Sequence, residues 1–482
     1  MRLPETSHPE IANRLAGDDA KIRSPAWRGA AILMGALLMA WPAIFNRYPL
    51  LYPDSITYLG DGRLVARAVF LHRLSEYYGM RSFFYSLVIL PLHWNVTAWP
   101  VVFFQALLTS YVIWLVVRSL TPRRTVLFYL ILVVLLSLLT SMDWFVSLIM
   151  PDVLGPLVYL CIFLLVFARE TLSRAERISL IPIAWWAIVS HASYLILATG
   201  LCILFVLFLV LRFQWMRGRW KALGEVVMIV SLAAVSQLAL HGYLYGKPSL
   251  NGERPPFLMA RVLADGPGLW YLQQHCPDAK FVLCDYLQEL PQDPDVFLWG
   301  EKGVWANADD ATTTRLRQEE MPFVQATLRA YPGAQLSKSL SNFGQQLRTF
   351  GFYLFGPSDW MSEEFASVLP REKSQYLQSR QAKDDLPLEF FTTVQNWTVL
   401  ASIVIIVAFL PRVWRNRSPR SIGLGVVIVS TVVANALVTG TLSMVEDRLQ
   451  SRVVWLIPFL AILLVLDFFE QKLASRPPAR TF

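Results

Sequence analysis

The side chains that could do chemistry in this chain are carboxylates and arginines set at the edges of apolar runs. The densest group lies in Tyr48–Arg81, YPLLYPDSITYLGDGRLVARAVFLHRLSEYYGMR, which carries Asp54, Asp61 and Glu76 among arginines and aromatic rings. It is too polar to lie in lipid and too aromatic for a free linker, so it reads as a membrane-surface loop. Asp54 is its leading candidate. A carboxylate at the lipid boundary, flanked by Tyr52, Pro53 and Tyr58, is partly desolvated, which raises its basicity and suits it to take a proton from an acceptor hydroxyl. The stretch PDSITYL also reads as a helix start, with Asp54 as a turn or cap residue. Asp61 reads as a solvated helix residue, and both it and Glu76 as structural.

Two more groups share this chemistry. Asp143 and Asp152 sit in SMDWFVSLIMPDVLG; Asp152 follows Pro151 and opens a span, where it can cap the positive end of a helix and still act on a substrate. Arg448 and Arg452 in MVEDRLQSRVVWLIPFL lie four apart, on one face of an early-starting helix. That pair suits a lipid phosphate, or else a salt bridge to Glu446 or Asp447. His191, beside Ser190 in an SHAS turn, is a polar tip on the same surface. Motifs of phosphate loops, dinucleotide folds, nucleophile elbows and zinc proteases are absent. The six histidines, at positions 8, 72, 93, 191, 241 and 275, show no ligand spacing, which argues against a transition-metal site. Carboxylates for proton transfer and arginines for phosphate are what remain.

The elements that must position these residues are membrane helices. With 55% hydrophobic and 16% charged residues and a mean hydropathy of +0.44 over 482 residues, the chain reads as an all-α polytopic membrane protein. A span needs about 20 apolar residues. Ten stretches approach that: 28–46, 98–118, 125–141, 152–168, 179–191, 193–212, 222–243, 393–411, 421–440 and 453–470. The first follows a polar segment, 1–27, with no small-residue cleavage site after it, so it is expected to be retained. If the N-terminus is cytoplasmic, every inside segment is basic: Lys21 to Arg28, Arg118 to Arg124, Arg169 to Arg177, Arg212 to Lys221, Arg412 to Arg420, and the tail 471–482. Both termini are then cytoplasmic.

The expected organisation is a membrane domain, 28–241, with a catalytic first outer loop at 47–82, an outer domain at 242–391, and C-terminal spans at 392–470. The outer domain holds 19 acidic and 14 basic residues, so the net charge of +8 reflects topology and gives nucleic-acid binding little support. It is expected to be mostly helical: one helix from an N-cap run at Ala311–Thr314 through Arg329, then an amphipathic helix past Pro332-Gly333 to about Phe352. In the second, Leu336, Leu340, Phe343 and Leu347 form an apolar face that packs on the domain or lies on the membrane. Cys276 and Cys284 are placed to pair in an oxidising compartment, whereas metal binding would need more ligands than His275 and Asp285 supply. Cys161 and Cys202 fall in apolar runs as small buried residues. The domain has no Asn-x-Ser/Thr site, which favours a bacterial periplasm and hence the bacterial inner membrane.

A cytoplasmic N-terminus, one span, then a long outer loop with an early Asp and the stretch RSFFYSLVILPLHW resembles the GT-C superfamily of polyprenyl-phosphate-sugar-dependent glycosyltransferases, including its protein-mannosyltransferase and aminoarabinose-transferase branch. The resemblance covers roughly Gly29 to Arg212. It implies a catalytic Asp at Asp54, a membrane-surface helix over Arg81–Trp94, a second acidic position at Asp152, and phosphate-holding arginines at Arg448 and Arg452. Tyr58, Arg81, Asp143 and His191 would line the same substrate site. The partners implied are a lipid-linked sugar donor, membrane lipids and a glycan, lipid or protein acceptor; a divalent metal is compatible with the chemistry and not required. Two departures stand: no Pro-rich start to the surface helix, and an inserted outer domain that matches nothing in the family. The other classes to weigh are a multi-spanning transporter or flippase, disfavoured by nearly charge-free spans without an internal repeat, and a non-catalytic envelope membrane protein.

Overall fold

The computed structural model describes residues 25–74 and 81–474. Glu76 lies outside the described residues. Among those described there is no strand; one isolated parallel bridge joins Leu50 to Leu148.

The chain begins with α1 (Pro25–Met39) and α2 (Trp41–Asn46), which run on as one apolar rod. The first loop then supplies α3 (Pro53–Phe70) and α4 (Phe83–His93), followed by α5 (Trp99–Leu120), α6 (Thr125–Leu139), the short α7 (Met142–Ser147), α8 (Leu154–Phe167), α9 (Arg174–Val189), α10 (Ala192–Val210) and α11 (Trp220–Tyr245). A long inserted segment carries α12 (Phe257–Ala264), α13 (Pro267–His275), α14 (Pro294–Trp299), α15 (Asp310–Ala330), α16 (Pro332–Gln346), α17 (Asp359–Val368) and α18 (Lys373–Leu377). Finally come α19 (Leu388–Asn416), α20 (Pro419–Leu442), α21 (Asp447–Val454) and α22 (Leu456–Ala474).

All ten apolar stretches are helical over most of their length. Among the described residues, seven helices are long and apolar enough to cross a membrane: Ala26–Asn46, α5, α10, α11, α19, α20 and Asp447–Leu473. The others are shorter, and α8 shows why. Its 14 residues rise only about 21 Å, less than the ~30 Å of a hydrocarbon core, and every one of them is buried by protein. A run that apolar can mark an enclosed core helix as well as a lipid-facing one. The bundle's centre and rim differ in the same way: the apolar window of Asp447–Leu473 is 72% buried, that of α19 only 11%.

Basic side chains gather at one end of the bundle. Arg118 donates to Glu176 at 2.6 Å, Arg420 pairs with Glu170 at 3.0 Å and donates to the Ser119 carbonyl, and Arg169 pairs with Glu225. Asp54, Asp152, Arg448 and the inserted segment lie at the other end, the site end.

The 242–391 segment divides between two cores. Met259, Leu263, Leu272, Phe297, Phe323 and their neighbours form a small core of their own, whereas Phe352, Phe355, Phe365 and Tyr376 join the main one. The second half thus belongs physically to the membrane bundle. In the first half α15 starts at Asp310, one residue before the expected cap run, because the Asp309 carboxylate accepts from Thr312 N at 2.8 Å. Helix α16 stops at Gln346, short of Phe352. A disulfide joins Cys276 to Cys284, while Cys161 and Cys202 are buried as free thiols.

Candidate functional site

Asp54 owes its position to how α3 begins. Pro53 opens the helix with a fixed φ and no donor to leave unsatisfied, and the Ser55 hydroxyl accepts from Tyr52 N at 2.9 Å. Ser55 does the capping, so the Asp54 carboxylate is free to point elsewhere. It ion-pairs with Arg81, just before α4, and lies 3.7 Å from a guanidinium nitrogen of Arg448. The loop before it is held from three sides. Leu50 N donates to the Ser147 carbonyl at 2.9 Å, tying it to the loop that leads to Asp152. The Gln381 amide takes both backbone groups of Leu51, at 2.7 and 3.0 Å, and Tyr48 donates to Glu372 at 2.5 Å.

Arg448 and Arg452 project from α21, which starts early enough to place both on one face. The Arg448 guanidinium stacks 4.3 Å from the Tyr52 ring centre and 3.6 Å from Glu446, whose carboxylate accepts from Tyr52 Oη at 3.0 Å. Its contacts with Asp54 and Glu446 exceed hydrogen-bond length, and Nε donates to none of the described residues. A planar fork of donors held by charge and ring stacking, with its donors unspent, is the arrangement that receives a phosphate oxygen. Arg452 is deeper and is held through both terminal nitrogens, while its Nε, like that of Arg448, donates to none of the described residues. It reaches Asp152 at 3.4 Å, Asn435 Oδ1 at 3.1 Å and Ser193 Oγ at 3.3 Å, over the Tyr194 ring.

The structure therefore brings Asp54, Tyr58, Arg81, Asp152, His191, Arg448 and Arg452 into one cluster. Tyr58 is buried beneath Asp54, edge-on to Tyr85 at 5.0 Å. His191 caps α10, its Nδ1 2.8 Å from Ser193 Oγ; burial, and Arg452 next, push the imidazole down to about 3, so it is neutral at physiological pH.

Three residues stand differently from expectation. Asp152 does not cap α8; its side chain is 2% exposed and turned to Arg452, a partner for an arginine and not a group that meets solvent. Asp143 is elsewhere: it is fully buried on α7 in a niche near Trp41 and Ser137, neither carboxylate oxygen has a hydrogen-bond partner among the described residues, and burial pushes it up to about 8. Asp61 is not solvated. It is 7% exposed, and burial raises it to about 6.

A polar cavity of about 350 Å³ adjoins the cluster, lined in part by Tyr52, Glu446, Asp293, Asp295 and Asn342. Tyr52 and Glu446 belong to its lining and both contact Arg448, which links the cavity to the cluster. The inserted segment supplies the opposite wall, and Trp299 on α14 stacks 5.6 Å over Arg81. Asp293, Asp295 and Asn342 carried no signal in the sequence, since nothing local marks a surface aspartate as facing another body. Glu446 was visible only as a neighbour of Arg448. Among the described residues no group of three His, Cys, Asp or Glu side chains gathers as a metal-ligand set.

The fold and the site define a polytopic helical membrane protein with a charged cleft at one end of its bundle. The chain matches no family model, no curated protein and no solved structure.

Proposed function

We propose that the protein is an integral-membrane glycosyltransferase of the GT-C kind, moving a sugar from a polyprenyl-phosphate donor to an acceptor on the outer face of a bacterial inner membrane. In this reading the shorter apolar helices add to the seven long ones to give about ten crossings, the basic end of the bundle is cytoplasmic with both termini, and the inserted segment is periplasmic. One observation carries the reading: Asp54 is held between Arg81 and Arg448, and Tyr52 and Glu446, which both contact Arg448, line an adjoining polar cavity.

The chemistry follows from that contact. A donor phosphate entering the cluster competes for Arg448 and Arg81, and each oxygen they take weakens their hold on Asp54. The acceptor hydroxyl or amine comes through the cavity past Tyr52 and Glu446 and attacks the anomeric carbon. The new bond to that carbon forms as the bond to the phosphate oxygen breaks. The acceptor's proton passes to Asp54, and the polyprenyl phosphate leaves paired with the arginines. Asp152 is a positioning residue here: by holding Arg452 it fixes α21, and with it Arg448.

Membranes carrying Asp54→Asn are expected to transfer labelled sugar from a polyprenyl-phosphate sugar about 10²–10⁴-fold more slowly than wild type. Arg448→Ala is expected to raise the KM for donor. Normal transfer by Asp54→Asn refutes the assignment.

A further inference from the structure

Helix α16 wears its amphipathic pattern inside out. Its buried face is polar: Gln335, Asn342 and Gln346 are 5%, 9% and 0% exposed. Each donates inside the protein. Gln335 and Asn342 give hydrogen bonds of 2.6 and 2.8 Å to Asp265, and the Gln346 amide clasps both backbone groups of Glu446, at 2.8 and 2.9 Å. The apolar stripe turns out along the first part of the helix, with Leu336 at 62% and Leu340 at 56% exposure; Phe343 is half-buried, and Leu347, just past the helix end, packs against the main core. The spacing 336, 340, 343, 347 is one helical face, so these are not scattered surface leucines.

Its place in the fold says what covers that face. Helix α16 is pressed against the last turns of α20, one of the seven long apolar helices; a methyl group added at Gly440 would lie 2.9 Å from the Asn342 carbonyl oxygen. Helix α20 has its own outward stripe, Val429, Val433 and Leu437, of the kind that meets acyl chains. A helix that spends its amides inward and turns leucines outward, beside the end of a span, has the arrangement of one lying at a lipid boundary.

We infer that α16 is a membrane-surface helix at the site end of the bundle, with Leu336 and Leu340 inserted among lipid acyl chains. This goes beyond the catalytic reading and does not depend on it. The helix then joins lipid to the site directly. Gln345 and Asn342 line the cavity, and Gln346 holds the backbone of Glu446, another of its lining residues.

Spin labels on the full chain in phospholipid nanodiscs test this. Leu336→Cys, Leu340→Cys, Ser337→Cys and Ser341→Cys are labelled one at a time, and collision with oxygen, which favours lipid, is compared with that of a water-soluble nickel chelate. The expected result is an oxygen-to-nickel ratio several-fold higher at 336 and 340 than at 337 and 341. Equal ratios at the four positions overturn the inference. Labels at 336 and 340 shielded from both reagents also overturn it, because protein and not lipid would then cover the stripe.

Discussion

Substitution of Asp152 tests whether the buried arginine beneath the site depends on its carboxylate. The two side chains are 0% and 2% exposed and 3.4 Å apart, so removing either leaves a charge in a place water does not reach. Breaking a buried pair costs about 3–5 kcal/mol. Arg452 keeps Asn435, Ser193 and the Tyr194 ring after Asp152→Asn, which places that variant near 3 kcal/mol, at the lower end. Arg452→Met leaves Asp152 with none of these contacts and only the charge of Arg448 nearby, and is expected to cost about as much. The double variant removes both charges and is expected to cost no more than either single one, a coupling energy of about 3 kcal/mol. Reversible unfolding in mixed micelles, followed by tryptophan fluorescence for the four members of the cycle, measures this. Single costs that add to within about 0.5 kcal/mol would show that the two side chains act independently and refute the argument.

Two further perturbations address the scaffold. Asp61 is raised from 3.8 to about 6, so between those values the native state binds more protons than the unfolded chain and stability falls as pH rises. The charged form costs ~3 kcal/mol at pH 7.5, of which ~2 kcal/mol returns at pH 4.5; Asp61→Asn is expected to be more stable at pH 7.5 and to lose that dependence, and an unchanged pH profile of thermal unfolding would contradict it. At Gly423 an added methyl would overlap the Phe167 ring, which is buried against Phe205, Trp215 and Phe163 and has no room to move. Gly423→Ala is expected to destabilise by about 1–3 kcal/mol, read from the same unfolding assay, whereas Gly425→Ala, with open space at its Cβ, is expected to be near neutral.

Much of the site was legible as a set of parts. Asp54, Arg448 and Arg452 stood out because each is a charge at the edge of an apolar run, a property of a few neighbouring residues. Asp61 was misread for the same reason: a polar, helical surrounding in sequence says solvent, and only the packing of α3 against α4 and α17 takes the water away. Asp143 and Asp152 looked alike in one short loop, yet one is buried alone and the other is paired across the bundle. Helix α16 shows the limit most clearly. Its apolar stripe was plain in the sequence, but which side faces inward depended on Asp265 and Glu446, side chain and backbone, waiting to receive its amides.

The amino-acid sequence by itself determined that this chain is helical and membrane-embedded, where its long apolar helices run, and that Arg448 and Arg452 share a face. Those follow from apolar content and the 3.6-residue period, which act over one to a few turns. Tertiary structure decided that Tyr52 meets Glu446 across 394 positions and Asp152 meets Arg452 across 300. Such contacts exist only once the bundle has closed, because ion pairing selects a partner by distance in space and leaves no period or spacing along the chain to read.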